Sequence, residues 1–254
     1  MSLSPQQLDQ FHSDGYLVLN ARVAPHRCEA MLGVTLDHLQ RAVPPIEFEA
    51  EVGYPGAPAS RHAPGGHTAR RLRAAHGRAA CFCEWAGEPT LVGELAQLLG
   101  EDVILSLAHH NCVMTKHPRY GTATGWHRDI RYWSYGRNAL ISSWLALGEE
   151  TVENGALCFI PGSHRLHIDA SQLDDLDFLR PEVAANQALF ERGVTPMLQR
   201  GDVVLFHSGL FHSAGRNNTD RMKASVVFAY RGKSNPPVPG TRSAAAGEVE
   251  LGRG

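Results

Sequence analysis

The densest chemistry in the chain sits at Trp126-His127-Arg128-Asp129. An imidazole and a carboxylate stand two residues apart, and in an extended strand such side chains point to the same face. A neutral nitrogen and a hard oxygen converging on one point supply two of the three ligands of a facial metal site. A second imidazole must complete it. Between Gly201 and Asn217, two histidines follow an apolar run, His207 and His212. The chemistry alone does not choose between them, because a histidine at a strand end is more often a hydrogen-bonded structural residue than a ligand. A lone His-x-Asp triplet is a weak signal.

The elements that must position these residues are short and β-rich. Val103 to Leu107, Asn111 to Lys116, Ala139 to Leu147, Ala156 to Ile160, Val203 to Phe206 and Ala224 to Tyr230 read as strands. Turn signals separate them at Asn154-Gly155, Pro161-Gly162-Ser163, Gly201-Asp202 and Asn217-Asn218. Helices come first. Ser4 caps a helix with Pro5 in its first turn, Gln7 completing a capping box and Gly15 ending it. Tyr16 to Leu19 follows as a strand. Cys28, Leu32, Leu36, Leu39 and Val43 recur at helical spacing, predicting a second helix from about Pro25 to Arg41. A third runs from Pro89 to Leu99 and closes on Gly100. Helices followed by many short strands predict a mainly β fold, a sandwich or jelly roll with helices packed outside.

Two stretches lie outside this pattern. From Pro44 to about Gly77 the pattern breaks, the Pro and Gly residues between Gly53 and Gly66 excluding regular structure there, and no acid occurs between Val52 and Cys83 while Arg61, Arg70, Arg71, Arg73 and Arg78 do. A charge run of this kind is more often a solvated face than a basic lid over an anionic ligand, and the solvated face is the expectation taken. Asp169 to Leu198 reads as an excursion between strands. The organisation expected is one domain over residues 1–231, helical to about 100 and a β core from about 101, with a tail over 232–254 that frays.

Composition excludes several classes. The chain has 254 residues, 43% hydrophobic and 20% charged, with a formal net charge of −2. No apolar run approaches the roughly 20 residues of a membrane span, the N-terminal residues show no secretory leader, and no basic excess calls for nucleic acid. Five cysteines (Cys28, Cys81, Cys83, Cys112, Cys158) lack zinc-site spacing and read as reduced thiols. The expectation is a cytoplasmic protein that binds neither nucleic acid nor membrane.

Ordered motifs then narrow the reading. His127-x-Asp129 is followed by Glu153-Asn154-Gly155-Ala156-Leu157, by Ile160-Pro161-Gly162-Ser163-His164, and by His212 with Gly215 and Asn217. Near the start stand Leu3-Ser4, Gln7-Leu8, Phe11 and Asp14-Gly15-Tyr16-Leu17-Val18. Together these resemble the phytanoyl-CoA dioxygenase family over about Leu3 to Arg231. The resemblance implies a double-stranded β-helix, a jelly-roll form, and an oxygenase dependent on Fe(II), 2-oxoglutarate and O2. It selects His212 over His207 as the distal ligand beside His127 and Asp129. It also implies that 2-oxoglutarate is decarboxylated to succinate and CO2 while a C–H bond of a small-molecule substrate is hydroxylated. Asp129 argues against halogenation, whose enzymes have a small residue there.

The resemblance further places a basic residue eleven positions after the distal histidine to pair with the far carboxylate of 2-oxoglutarate. That position is Lys223, where arginine is usual. Lysine offers a point charge and not a bidentate fork. The expectation is that Lys223 and Ser225 present an ammonium and a hydroxyl to that carboxylate, with Arg221, two residues earlier, as the substitute. Trp144 matches a tryptophan lining the same pocket. Arg128, Arg131, Tyr132, Trp133 and Tyr135 are candidates for the substrate wall. Epimerisation, cyclisation or desaturation with the same cofactors, or metal binding without turnover, are the alternatives.

Overall fold

The computed structural model describes residues 2–251. The first hundred residues contain α1 (Pro5–Asp14), β1 (Tyr16–Leu19), α2 (Pro25–Gln40), β2 (Ile46–Phe48), β3 (Ala69–Arg73), α3 (Ala80–Ala86) and α4 (Pro89–Leu99). Next come β4 (Val103–Lys116), β5 (Thr124–His127), β6 (Leu140–Ala146), β7 (Leu157–Phe159) and α5 (Ala184–Phe190). The chain continues through β8 (Val203–His207), β9 (His212–Ala214), β10 (Lys223–Gly232), α6 (Arg242–Ala245) and β11 (Glu248–Leu251). α1 begins with the Ser4–Gln7 capping box and ends on Gly15 in the left-handed region.

Two antiparallel sheets result. The larger has the order β1-β8-β6-β10-β4-β3-β2, with β11 also on β4, and the smaller has the order β5-β9-β7. Alternation along the large sheet gives each face its own task. Ile141, Leu145, Val203, Leu205, Val226, Phe228 and Tyr230 pack against Phe11, Met31, Phe82, Trp85 and Leu95 of the helices. Trp144, Ala146, Val204, Phe206 and Val227 face the other way, onto Leu157 and Phe159 of β7. Full burial of a Phe or Leu contributes on the order of 2–3 kcal/mol, so the helical layer braces the sheet that carries the site.

β4 is one strand where the sequence suggested two. Phe228 of β10 faces Asn111 while the next residue, Ala229, faces Ser106, so residues 107–110 bulge out. His109 sits at φ 53°, in the left-handed region. Such a bulge re-aims side chains, and here it carries His109 and His110 to the cavity. β11 covers the outer edge of β4 before the bulge and β3 covers it after.

Three expectations need correction. The tail expected to fray from Gly232 instead forms α6 and β11, and Arg231 holds Glu248 through two bonds of 2.6 Å; residues 252–254 lie outside the described residues. The stretch from 44 to 77 contains β2 and β3, whose apolar Ile46 and Leu72 pair across the two strands; only its Pro- and Gly-rich centre is irregular. In α2, Leu36 is exposed, and Cys28, Met31 and Thr35 make the buried stripe. No helix among the described residues is long and apolar enough to cross a membrane.

Candidate metal centre and its cavity

β5 ends on His127 and β9 begins on His212, its register partner across the small sheet. The two imidazoles therefore lie side by side, with ring centroids 4.3 Å apart. Past β5 the chain tightens into a 3-10 turn, Asp129–Tyr132, pinned by Ile130 N–H donating to Ser208 O at 2.9 Å. Arg128 remains extended, so His127 and Asp129 share a face although Asp129 already belongs to the turn. Asp129 Oδ1 lies 3.4 Å from His212 Nε2 and 3.8 Å from His127 Nε2.

The far atom of each side chain is tied down. His127 Nδ1–H donates to Gly125 O at 2.9 Å and His212 Nδ1–H donates to Leu210 O at 3.0 Å. A carbonyl only accepts, so both protons sit on Nδ1 and both Nε2 lone pairs face the carboxylate. Asp129 Oδ2 accepts from Ser142 Oγ at 3.5 Å and lies 3.4 Å from His110 Nδ1, which itself meets Ser142 Oγ at 3.0 Å. Asp129 Oδ1, in contrast, is buried with no hydrogen-bond donor in ordinary geometry. A buried carboxylate oxygen left without a partner is costly, and a cation at this point removes the cost. Two imidazole nitrogens and one carboxylate oxygen on one side, with a cavity on the other, fit a facial divalent-metal site.

The electrostatics agree. Burial, reinforced by His212, lowers the His127 imidazole to about 3, which leaves its lone pair free. Burial lowers His110 to about 4. Burial opposes charge on Asp129 as well, but His110, His212 and His127 outweigh it and hold the carboxyl below its usual range. For His212 burial is again overcome, by the Asp129 charge, and its imidazole is raised.

The triad opens on a cavity of about 240 Å³. Trp144 and Lys223 line it as expected, with Lys223 Nζ 5.0 Å from the Trp144 ring centre. What Lys223 and Ser225 meet is a carboxylate of the protein. Lys223 Nζ donates to Glu150 Oε2 at 2.9 Å, Ser225 Oγ to Glu150 Oε1 at 2.5 Å, and Trp144 Nε1 to the same Oε1 at 2.9 Å. Glu150 is fully buried. Ser225 thus spends its one proton inside the protein and does not line the cavity. Arg221 precedes β10, its side chain 88% exposed beside Asp220, outside the cavity. It is no substitute for Lys223 in this geometry.

Of the flanking aromatic and basic residues, Tyr132 lines the cavity and stacks on His109 with ring centroids 3.7 Å apart. Arg131 lies over Phe178, 4.3 Å from its ring centre, and Phe178 in turn covers His127. Trp133 is buried and donates to Ala108 O, Tyr135 bonds Ser106, and Arg128 lies over Phe211 away from the cavity. His207 accepts from Gly209 N–H and packs on His164, apart from the triad. Arg70 and Arg71 reach the cavity as residues of β3, where a solvated face was expected; buried Arg70 pairs with Glu49, and Arg71 pairs with Glu47. Glu150 and Lys116 escaped the sequence reading. The available signal was weak: an acid and a basic residue at the ends of apolar runs.

The fold recurs in known proteins. The crystal structure of EctD from S. alaskensis with 2-oxoglutarate and 5-hydroxyectoine superposes with a TM-score of 0.76 at 23% identity, covering 93% of this chain and 78% of that one. The non-heme alpha ketoglutarate dependent epimerase SnoN from nogalamycin biosynthesis gives 0.74 at 21% identity, covering 93% and 86%. These likenesses establish the double-stranded β-helix. In sequence, phytanoyl-CoA dioxygenase domain-containing protein 1 of Bos taurus is 26% identical over 265 residues, 89% of each chain. The family model of phytanoyl-CoA dioxygenase (PhyH) matches residues 11–225, most of the chain, which therefore belongs to that family.

Proposed function

We propose that the protein is a non-haem Fe(II)- and 2-oxoglutarate-dependent oxygenase that hydroxylates a C–H bond of a small molecule. The observation that carries this reading is the His127–Asp129–His212 triad, with its orphaned carboxylate oxygen facing the cavity. Family membership and a fold neighbour with 2-oxoglutarate bound support it. Bound iron with 2-oxoglutarate and O2 supplies the oxidising power: O2, 2-oxoglutarate and C–H become succinate, CO2 and C–OH.

The chain's own residues hold and shield. His127, Asp129 and His212 would hold the metal, and Ser142, bonded in turn to His110, fixes the Asp129 carboxylate. Lys223 offers its ammonium to the same cavity. Tyr54, Tyr132 and Phe178 gather over His127, and such an apolar cover keeps bulk water from a reactive centre.

Anaerobic protein loaded with Fe(II) develops a weak visible charge-transfer band on addition of 2-oxoglutarate, and His212→Ala does not. Bound iron with neither band nor succinate in air would leave a metal-binding jelly roll and sink the enzyme reading. The fold likeness to an epimerase favours a second outcome with the same cofactors. Product mass separates the two: hydroxylation adds one oxygen, epimerisation changes no mass, and ring closure or desaturation removes two hydrogens.

A further inference from the structure

The cavity holds a second lysine besides Lys223. Lys116 on β4 and Lys223 on β10 are register partners, and both line the cavity. Their surroundings differ. Glu150 answers Lys223 at 2.9 Å, inside the protein. Lys116 Nζ donates only to backbone carbonyls, those of Thr122 at 3.3 Å and of Gly215. The acids whose charge reaches it, Glu49 and Glu150, are already engaged by Arg70 and Lys223. With Lys116 protonated, Lys116, Lys223 and Glu150 together carry one net positive charge.

The chain keeps room for this ammonium. Gly155, at φ +76°, stands against the Lys116 stem; a Cβ there would come within 2.7 Å of Lys116 Cδ and 2.5 Å of Gly215 O. Burial and then the charge of Lys223 lower Lys116 to about 7, which measures how poorly the protein alone stabilises it. Carbonyl dipoles orient a cation but do not cancel its charge. A ligand carboxylate does both.

We propose that Lys116 is the second anchor of the cosubstrate's far carboxylate, which lies between Lys116 and Lys223 while Glu150 positions Lys223 from behind. This rests on the reading of the cavity as a 2-oxoglutarate site. A pair of ammoniums then does what a single arginine fork does elsewhere, and selectivity for a dicarboxylate over a monocarboxylate resides in Lys116 as well as Lys223. Glu150 is a positioning residue here, since it acts through Lys223.

The test compares 2-oxoglutarate with 2-oxopentanoate, the same five-carbon keto acid without the far carboxylate. Both are titrated anaerobically into the Fe(II) protein, with affinity read from the charge-transfer band and from calorimetry. Lys116→Met and Lys116→Gln weaken 2-oxoglutarate about tenfold or more, as loss of a charged hydrogen bond does, and leave 2-oxopentanoate within about twofold. Lys116→Arg restores part of the preference. Lys116→Gln keeps an amide donor for the Gly215 carbonyl, so it isolates charge from tethering. Equal weakening of both acids, or an unchanged ratio, overturns the assignment and leaves Lys116 a tether. If the wild type binds iron but neither acid produces a band, the cosubstrate reading itself fails and this inference falls with it.

Discussion

Glu150 Oε2 accepts from Lys223 Nζ at 2.9 Å, and both side chains are almost wholly removed from solvent. The charge on one residue is therefore the condition for burying the other. Glu150→Ala leaves a buried ammonium without its counter-ion and strands the Ser225 hydroxyl and Trp144 N–H. Stability falls by about 3–5 kcal/mol, read as a lower urea midpoint at unchanged slope. Adding Lys223→Met to Glu150→Ala costs less than the two single losses combined. Strict additivity would show that the pair is not coupled.

Cosubstrate affinity depends on pH through Lys116. The groups facing it are Lys223 and Arg70, which lower it after burial does, and Glu49 and Glu150, which raise it. A bound carboxylate favours the protonated amine, so binding is tightest where Lys116 is already charged. Affinity for 2-oxoglutarate stays level below pH about 7 and weakens above it, by up to about tenfold per pH unit. Calorimetry in buffers of different ionisation enthalpy reads the accompanying proton uptake. A flat profile in the wild type, or a sloping one retained in Lys116→Met, contradicts the prediction.

His110 lies 3.4 Å from the far oxygen of Asp129 and bonds Ser142, whose hydroxyl donates to that oxygen. His110→Ala frees that carboxylate to rotate away from the triad. Metal affinity drops by roughly 10–100-fold, followed by Co(II) titration of the apoprotein, and His110→Asn recovers part of it through its amide donor. Affinity equal to that of the wild type would mean that the 3-10 turn alone aims Asp129.

The C-terminal segment holds the turn that carries the triad's acid. Ser134 N–H donates to Ser243 Oγ at 2.9 Å and Tyr135 Oη meets Glu248 at 3.3 Å, both just beyond Asp129–Tyr132. A chain ending at residue 240 loses these bonds, the β11 pairing and the Arg231–Glu248 pair. Its Tm falls by roughly 5–10 °C, and its metal affinity falls with it. Glu248→Gln shows a smaller change in the same direction, since one amide oxygen remains for Arg231.

What the sequence revealed follows from how local each signal is. The capped α1, the apolar runs of β6, β8 and β10, and the His127-x-Asp129 spacing are properties of neighbouring residues, and they read correctly. β9 is three residues long and β5 only four, with polar His212 and His127 at the ends that matter. Such strands exist because each completes the other's hydrogen bonds, which no window of sequence contains. The bulge in β4 is equally silent, since it is defined by a missed step against β10. Lys223 was found and its partner was not: Glu150 lies 73 residues away, and only the fold makes a buried acid tolerable there.

Every residue of β10, from Lys223 to Gly232, is buried, and the strand is bonded to β4 on one side and β6 on the other. Its amides can meet water only when the whole sheet opens, so they should be the last in the molecule to exchange with deuterium. Tyr54, which also lines the cavity, and Phe178, which packs edge-on against its ring, lie outside the named helices and strands. One half of the chamber is therefore slow to change, over time in solution and over successive mutations alike. The Tyr54 side lacks that bracing, so a substitution there reshapes the cavity at less cost to the sheet that carries Lys223.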